Sequence, residues 1–127
     1  ARLEKFVNRP AGQLSGGMYK KLGLICALLR SPRIMLLDEP TNGVDPISRR
    51  EFWELLNDAK NSGILVIMST AYMDEAERCS NVMLMERGRV LATGQPDELL
   101  KKYNSRNFDE LFFKRGQQIY EKENRRS

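Results

Sequence analysis

Two adjacent carboxylates, Asp38 and Glu39, follow the apolar run Ile34-Met35-Leu36-Leu37 and precede Pro40. A short continuous apolar run reads as a strand buried on both faces of a parallel sheet. Ligands of open α/β sheets bind beyond the C-terminal ends of such strands. One acid placed there can hold Mg²⁺ and the next can orient a water for attack; taken alone, the pair could equally be a solvated acidic turn. Upstream, Leu14-Ser15-Gly16-Gly17-Met18 opens a helical stretch. A serine N-cap, small residues and free N–H groups backed by the helix dipole suit a phosphate. The plainer reading is a Gly-rich loop capped by serine. Asn42-Gly43-Val44-Asp45-Pro46 is a turn running into a helix, with Asp45 as cap and Pro46 at the first helical position.

The chain contains no histidine, which excludes Ser/His and Cys/His triads, His-bearing metal motifs and the usual proton shuttle. The formal net charge of +4 is spread among many acids, and no basic run carries interleaved aromatics, so direct nucleic-acid binding is not expected. No apolar run approaches the roughly 20 residues of a membrane helix, and residues 1–10 lack a signal-peptide core. Cys26 and Cys79 have no zinc-like spacing and no Cys-rich framework around them. A reduced, cytosolic setting follows, with any membrane role exercised through a partner.

The elements that must position these residues alternate. A helix is expected from Ser15 to about Leu29 or Arg30, broken by Ser31-Pro32, then the Ile34–Leu37 strand. A second helix starts at Asp45-Pro46, carries Phe52, Leu55, Leu56 and Ala59 at helical spacing, and stops at Asn61-Ser62-Gly63. Ile64 to Met68 is a second apolar strand, followed by a short acidic helix around Asp74 to Glu77. Val82 to Met85 and Val90 to Ala92 flank Glu86-Arg87-Gly88-Arg89 as a tight hairpin, and a small helix over Asp97 to Tyr103 follows. Strand–helix–strand alternation gives an α/β fold with a mainly parallel sheet. Residues 104–127 carry an amphipathic patch at Phe108, Leu111 and Phe112 and then a polar end, read as a helical tail or linker. Met68, Met83 and Met85 are expected in the core, Trp53 packed against the domain, and Asp74, Glu75 and Glu77 solvated at a helix start.

The ordered set Leu-Ser-Gly-Gly (14–17), Leu-Leu-Asp-Glu-Pro-Thr (36–41), Gly-Val-Asp-Pro (43–46) and Ser-Thr-Ala-Tyr-Met-Asp-Glu-Ala-Glu (69–77) resembles the ATPases of ABC transporters. The resemblance spans roughly Gln13 to Leu100, and Met83 to Gly94 is similar to the family's final hairpin. In detail it is similar to bacterial exporter-type members. The resemblance implies a partial P-loop NTPase fold. It makes Leu14, Ser15, Gly16, Gly17 and Met18 the signature motif, Ile34 to Glu39 the Walker B strand and Asn42 to Asp45 the D-loop. Asp38 becomes the Mg²⁺ acid, Glu39 the residue that polarises the attacking water, and Ala71 the switch position. Two residues depart from the family pattern. Met18 stands where glutamine is commonest, and Ala71 stands where a histidine usually contacts the γ-phosphate, a contact no methyl group can make.

Nowhere does the chain contain Gly-x-x-x-x-Gly-Lys-[Ser/Thr], the loop that cradles phosphates. Residues 1–103 are therefore expected to be the C-terminal part of an ABC ATP-binding domain from a longer protein or truncated frame. The resemblance places the strand before that loop between the Ile64–Met68 and Val82–Met85 strands, so its absence should leave a gap in the sheet or force those two strands together. The resemblance implies ATP and Mg²⁺ as ligands. It also implies a head-to-tail partner ATP-binding domain and a transmembrane permease holding the chain at the inner face of the membrane. Each site of the pair joins one half's phosphate loop to the other's signature, so Ser15 and Gly17 would serve the partner's site while Ala71 impairs the chain's own. The rival expectations are an ABC-type ATPase that remodels a ribosome or DNA complex, and an inactive fragment persisting as a binding module.

Overall fold

The chain turns helical where its first capping side chain allows it. Ser15 has an extended backbone, its Oγ accepts the Met18 N–H at 3.3 Å, and its carbonyl takes the first helical bond from Tyr19 at 2.8 Å. In the computed structural model, which describes residues 7–125, this helix, α1, covers Gly16–Leu28. The chain divides into two compact units, Ala1–Thr70 and Ala71–Ser127.

The first unit is built from α1, strand β1 (Ile34–Leu37), helix α2 (Pro46–Asn61) and strand β2 (Leu65–Met68). The strands pair in parallel, Ile34 opposite Leu65 through Leu37 opposite Met68, with α2 as the crossover between them. Helix α2 starts on Asp45, whose carboxylate accepts the Ser48 N–H at 2.9 Å, with Pro46 where its missing N–H costs nothing. Its apolar face buries Phe52, Trp53, Leu56 and Ala59, and with Leu24 of α1 and Met35 of β1 these make the core of the unit. Trp53 is thus packed as its sequence context suggested. Across α1 and α2 the buried Lys21 ammonium is paired with the Glu51 carboxylate.

The continuous apolar run of β1 led us to expect burial on both faces, and the structure corrects this. Ile34 and Leu36 are 58% and 74% exposed, and their same-face partners Leu65 and Ile67 are 55% and 52% exposed. Met35 on the opposite face is 5% exposed. Side chains alternate between the faces of a strand, and the described residues of the unit cover only one face.

The second unit contains α3 (Met73–Ala76), the antiparallel hairpin β3 (Val82–Glu86) and β4 (Arg89–Gly94), α4 (Pro96–Lys102) and α5 (Phe108–Asn124). The hairpin turns at Arg87 and Gly88, both at positive φ (48° and 75°), as the two central residues of a type I′ turn must be. Helix α5 begins where the Phe108 N–H donates to Glu77 at 3.0 Å and the Glu110 N–H to Asn107 at 2.9 Å. Phe108 and Leu111 have no exposed surface and pack with Val82, Leu84, Leu91 and Leu99. Residues 104–127, read from sequence as a helical tail or linker, thus begin their helix inside this core. β2 and β3 pair in separate two-stranded sheets, β2 with β1 and β3 with β4.

Two further expectations fail here. Met83 and Met85 are 59% and 55% exposed, because the hairpin turns Val82 and Leu84 toward the core and its methionines to the other face. Glu75 is wholly buried rather than solvated, on α3, which packs against α5, while Asp74 and Glu77 stand exposed as expected.

The Lys21–Glu51 pair makes a testable demand, because removing one partner strands a buried charge. Glu51→Leu is expected to cost about 3 kcal/mol, and Lys21→Met with Glu51→Leu to recover most of it. Urea unfolding followed by fluorescence of Trp53, the one tryptophan of the chain, measures both; equal losses in the single and double variants would refute the assignment.

Candidate functional site

Parallel pairing brings the ends of β1 and β2 to one edge and continues one step past them, where the Ser69 N–H donates to the Leu37 carbonyl at 2.9 Å. That bond sets Ser69 beside Asp38. The Ser69 hydroxyl donates to Asp38 Oδ1 at 2.5 Å, and Ser69 Oγ in turn accepts the Glu39 N–H at 2.8 Å. Glu39 lies at φ +41°, a left-handed conformation that non-glycine residues seldom adopt. Its carboxylate meets the Asn42 side-chain amide at 3.4 Å. Asp38, Glu39 and Ser69 are all exposed.

The turn after the strand runs Glu39–Val44, closed by Asn42 N–H to Glu39 O at 3.1 Å and Val44 N–H to Thr41 O at 3.1 Å. It delivers Asp45 to the start of α2. The Ser48 backbone N–H, and after it the Ser48 hydroxyl, hold the Asp45 carboxyl below its ordinary 3.8. A lowered value means the ionised cap contributes fully above 3.8 and is lost as pH falls through the folded value.

Leu14 to Met18 stand at the head of α1. Ser15 and Gly16 are exposed, Leu14 and Met18 half-buried, and Gly17 buried. A Cβ on Gly17 would lie 2.8 Å from Ser48 Cβ, 2.9 Å from Ser48 Oγ and 3.2 Å from an Asp45 carboxylate oxygen. Glycine at 17 is therefore what lets α1 touch the first turn of α2. One turn on, Lys20 Nζ donates to the Asn42 carbonyl at 2.5 Å. The first unit thus gathers the expected residues into two groups. The strand-end acids Asp38 and Glu39 form one, and the head of α1 with Asp45 forms the other. Ala71 opens the second unit, exposed, ahead of α3.

Ser69, Ser48 and Lys20 were not singled out from the sequence. Ser69 had a readable signal, since it follows the second apolar run as Asp38 follows the first. Ser48 and Lys20 had none, because their roles depend on how two helices approach.

Among the described residues there is no group of three or more His, Cys, Asp or Glu side chains that could hold a metal ion. A single exposed carboxylate such as Asp38, one oxygen oriented by Ser69, suits Mg²⁺ in the mode where the ion keeps waters and takes other ligands from phosphates.

The tightness at Gly17 predicts a cost of about 1–3 kcal/mol for Gly17→Ala, from overpacking. Gly17→Ala in a Ser48→Gly background should cost less than in the parent. A double-mutant cycle on unfolding free energies with no coupling between the two positions would disprove the contact.

Residues 6–70 match a family model described as "AAA domain, putative AbiEii toxin, Type IV TA system". The chain is 49% identical over 106 residues to the "Probable multidrug ABC transporter ATP-binding protein YbhF" of Escherichia coli K12, covering 84% of this chain and 18% of that protein. It is 42% identical over 101 residues to the "Nod factor export ATP-binding protein I" of Sinorhizobium fredii, covering 79% of this chain and 29% of the relative. A solved "ATP binding subunit of ABC transporter" superposes with a TM-score of 0.75 at 31% identity, covering 91% of this chain and 49% of that one. The structure of cbiO1 from Clostridium perfringens, "Part of the ABC transporter complex cbiONQ", gives 0.67 at 35% identity, with 78% and 40% covered. The chain therefore spans under a third of these two relatives and about half or less of these structures. The strand-end acids, the glycine-led helix and these likenesses together make the chain a member of the ABC transporter ATP-binding family, corresponding to the C-terminal part of its ATP-binding domain.

Proposed function

We propose that this chain is part of the ATP-hydrolysing subunit of an ABC transporter and helps couple ATP binding and hydrolysis to solute export. The observation that carries the reading is the pair of carboxylates, Asp38 and Glu39, held at the C-terminal end of a parallel strand pair. Export as the direction is supported by the multidrug and Nod-factor relatives. Residues 1–103 are taken as the C-terminal part of an ATP-binding domain, with α5 packed onto it through the buried Phe108 and Leu111.

In this reading Asp38 holds Mg²⁺, mostly through water, and the bound ion offsets charge on the phosphate oxygens. Glu39 orients the water for in-line attack and accepts its proton. Ser15 with Gly17, flanked by Leu14, Gly16 and Met18, serves the γ-phosphate in the site of a head-to-tail partner domain. Ser15 suits this role because its oxygen is occupied by the Met18 N–H while its own proton remains to donate. Asp45 ends the D-loop at that same contact. Ala71 supplies no donor to the chain's own site, so the pair is asymmetric, with one slow site and one active site completed by this signature. No helix among the described residues is long and apolar enough to cross a membrane. The family reading assigns attachment at the inner face of the membrane to a permease.

The 127-residue chain alone is expected to show no ATPase activity above background, since it lacks the phosphate-cradling lysine loop. In the assembled transporter, Ser15→Arg should abolish most turnover. Ala71→His should raise hydrolysis at the chain's own site by at least about tenfold, the return of one positioned donor. Steady-state and single-turnover hydrolysis of labelled ATP read both effects; two variants with parental rates would refute the asymmetric reading.

A further inference from the structure

The proposed reading leaves unexplained how two neighbouring carboxylates are kept aimed at different tasks. Adjacent acids repel, and in an ordinary extended strand their side chains would fall on opposite faces of the sheet. Here the chain breaks from the strand geometry at Glu39, whose φ of +41° swings the backbone into the left-handed region. That conformation is unfavourable for a residue with a Cβ and persists where surrounding contacts hold it. The contact on its amide is Ser69 Oγ, at 2.8 Å.

The same hydroxyl donates to Asp38 Oδ1 at 2.5 Å. A hydroxyl can donate one hydrogen bond and accept others at once, so one atom restrains the Asp38 side chain and the Glu39 backbone together. Its own position is set by the backbone, because the Ser69 N–H bond to Leu37 O (2.9 Å) extends the β1–β2 ladder. Alanine lacks the atom, and a carbonyl or carboxylate at this position could only accept. Serine or threonine alone among small side chains meets both demands.

We propose that Ser69 is a positioning residue that sets Asp38 and Glu39 for hydrolysis, its hydroxyl bridging the Asp38 carboxylate and the Glu39 amide. This rests on the assignment of Glu39 as the residue that orients water. Ser69 touches neither nucleotide nor water in this scheme and acts only through its two neighbours. Its loss misdirects the transition-state contacts more than the binding of ATP, which depends on the phosphate loop.

The test uses the full-length transporter, in the parental and Ala71→His backgrounds, so that the chain's own site is measurable. Ser69→Ala is expected to lower kcat for that site about 10- to 100-fold, the scale of a misplaced reacting group, with KM for MgATP changed far less. Ser69→Thr, which keeps the hydroxyl, should recover most of the loss. Hydrogen–deuterium exchange of the peptide spanning Leu37 to Thr41, read without nucleotide, should quicken in Ser69→Ala and stay near parental in Ser69→Thr. Parental kcat and parental exchange in Ser69→Ala would overturn the proposal, as would equal losses in the alanine and threonine variants. Glu39→Gln, measured in parallel, separates the two levels. If it abolishes turnover while Ser69→Ala does not, Ser69 alone is misassigned; if Glu39→Gln retains turnover, the assignment of Glu39 fails and the proposal with it.

Discussion

The parallel pairing of β1 with β2 is the constraint on which the site depends. It is a short ladder, Ile34–Leu37 against Leu65–Met68, and its register decides which residue stands beside Asp38. Side chains alternate along a strand, so a slip of one residue would turn Ser69 to the other face and bring Met68 or Thr70 to its place. The register is held from one side, by the alternation that buries Met35 and leaves Ile34 and Leu36 bare. Helix α2 therefore has two tasks. It supplies the core that fixes the register, and its first turn, capped by Asp45, receives the glycine face of α1.

The bare face explains a mismatch between the composition of the strands and their surroundings. Ile34, Leu36, Leu65 and Ile67 have the apolar character of residues meant for burial, and each is more than half exposed. Burying one such side chain is worth about 1.5–3 kcal/mol, so the first unit draws on only part of the driving force its strands carry. The ladder that orients the acids is correspondingly short of support on one side.

Much of the fold was legible because it rests on local chemistry. Ser15, Asp45-Pro46 and Ser62-Gly63 mark helix ends through hydrogen bonds that their own side chains or backbone make within a turn. Arg87-Gly88 marks a hairpin through a backbone conformation that glycine tolerates. Asp38 and Glu39 were legible as strand-end acids. What escaped the sequence depends on distant partners. The exposure of Met83 and Met85 follows from which hairpin face meets α4 and α5, and the burial of Glu75 from what packs around α3. Apolar type does not encode which face is covered. The roles proposed for the site residues come from the family resemblance, while the reason glycine stands at 17 came only with the approach of Ser48.

Two routes join the acids to the head of α1 within the first unit, and their strengths differ. One is polar and runs through Asn42, whose side chain meets Glu39 at 3.4 Å and whose carbonyl accepts from Lys20. Its first link is long and exposed, and net contributions of exposed polar contacts are small. The other is steric. Gly17 lies against Ser48 with no room for a methyl group, and α2 continues from that contact through its buried Phe52, Trp53 and Leu56 to pack on β2. Close-packed interiors transmit displacement because they cannot be compressed. The steric link is therefore the tighter of the two: it leaves no room for a methyl group at Gly17, whereas the polar route begins with a 3.4 Å exposed contact.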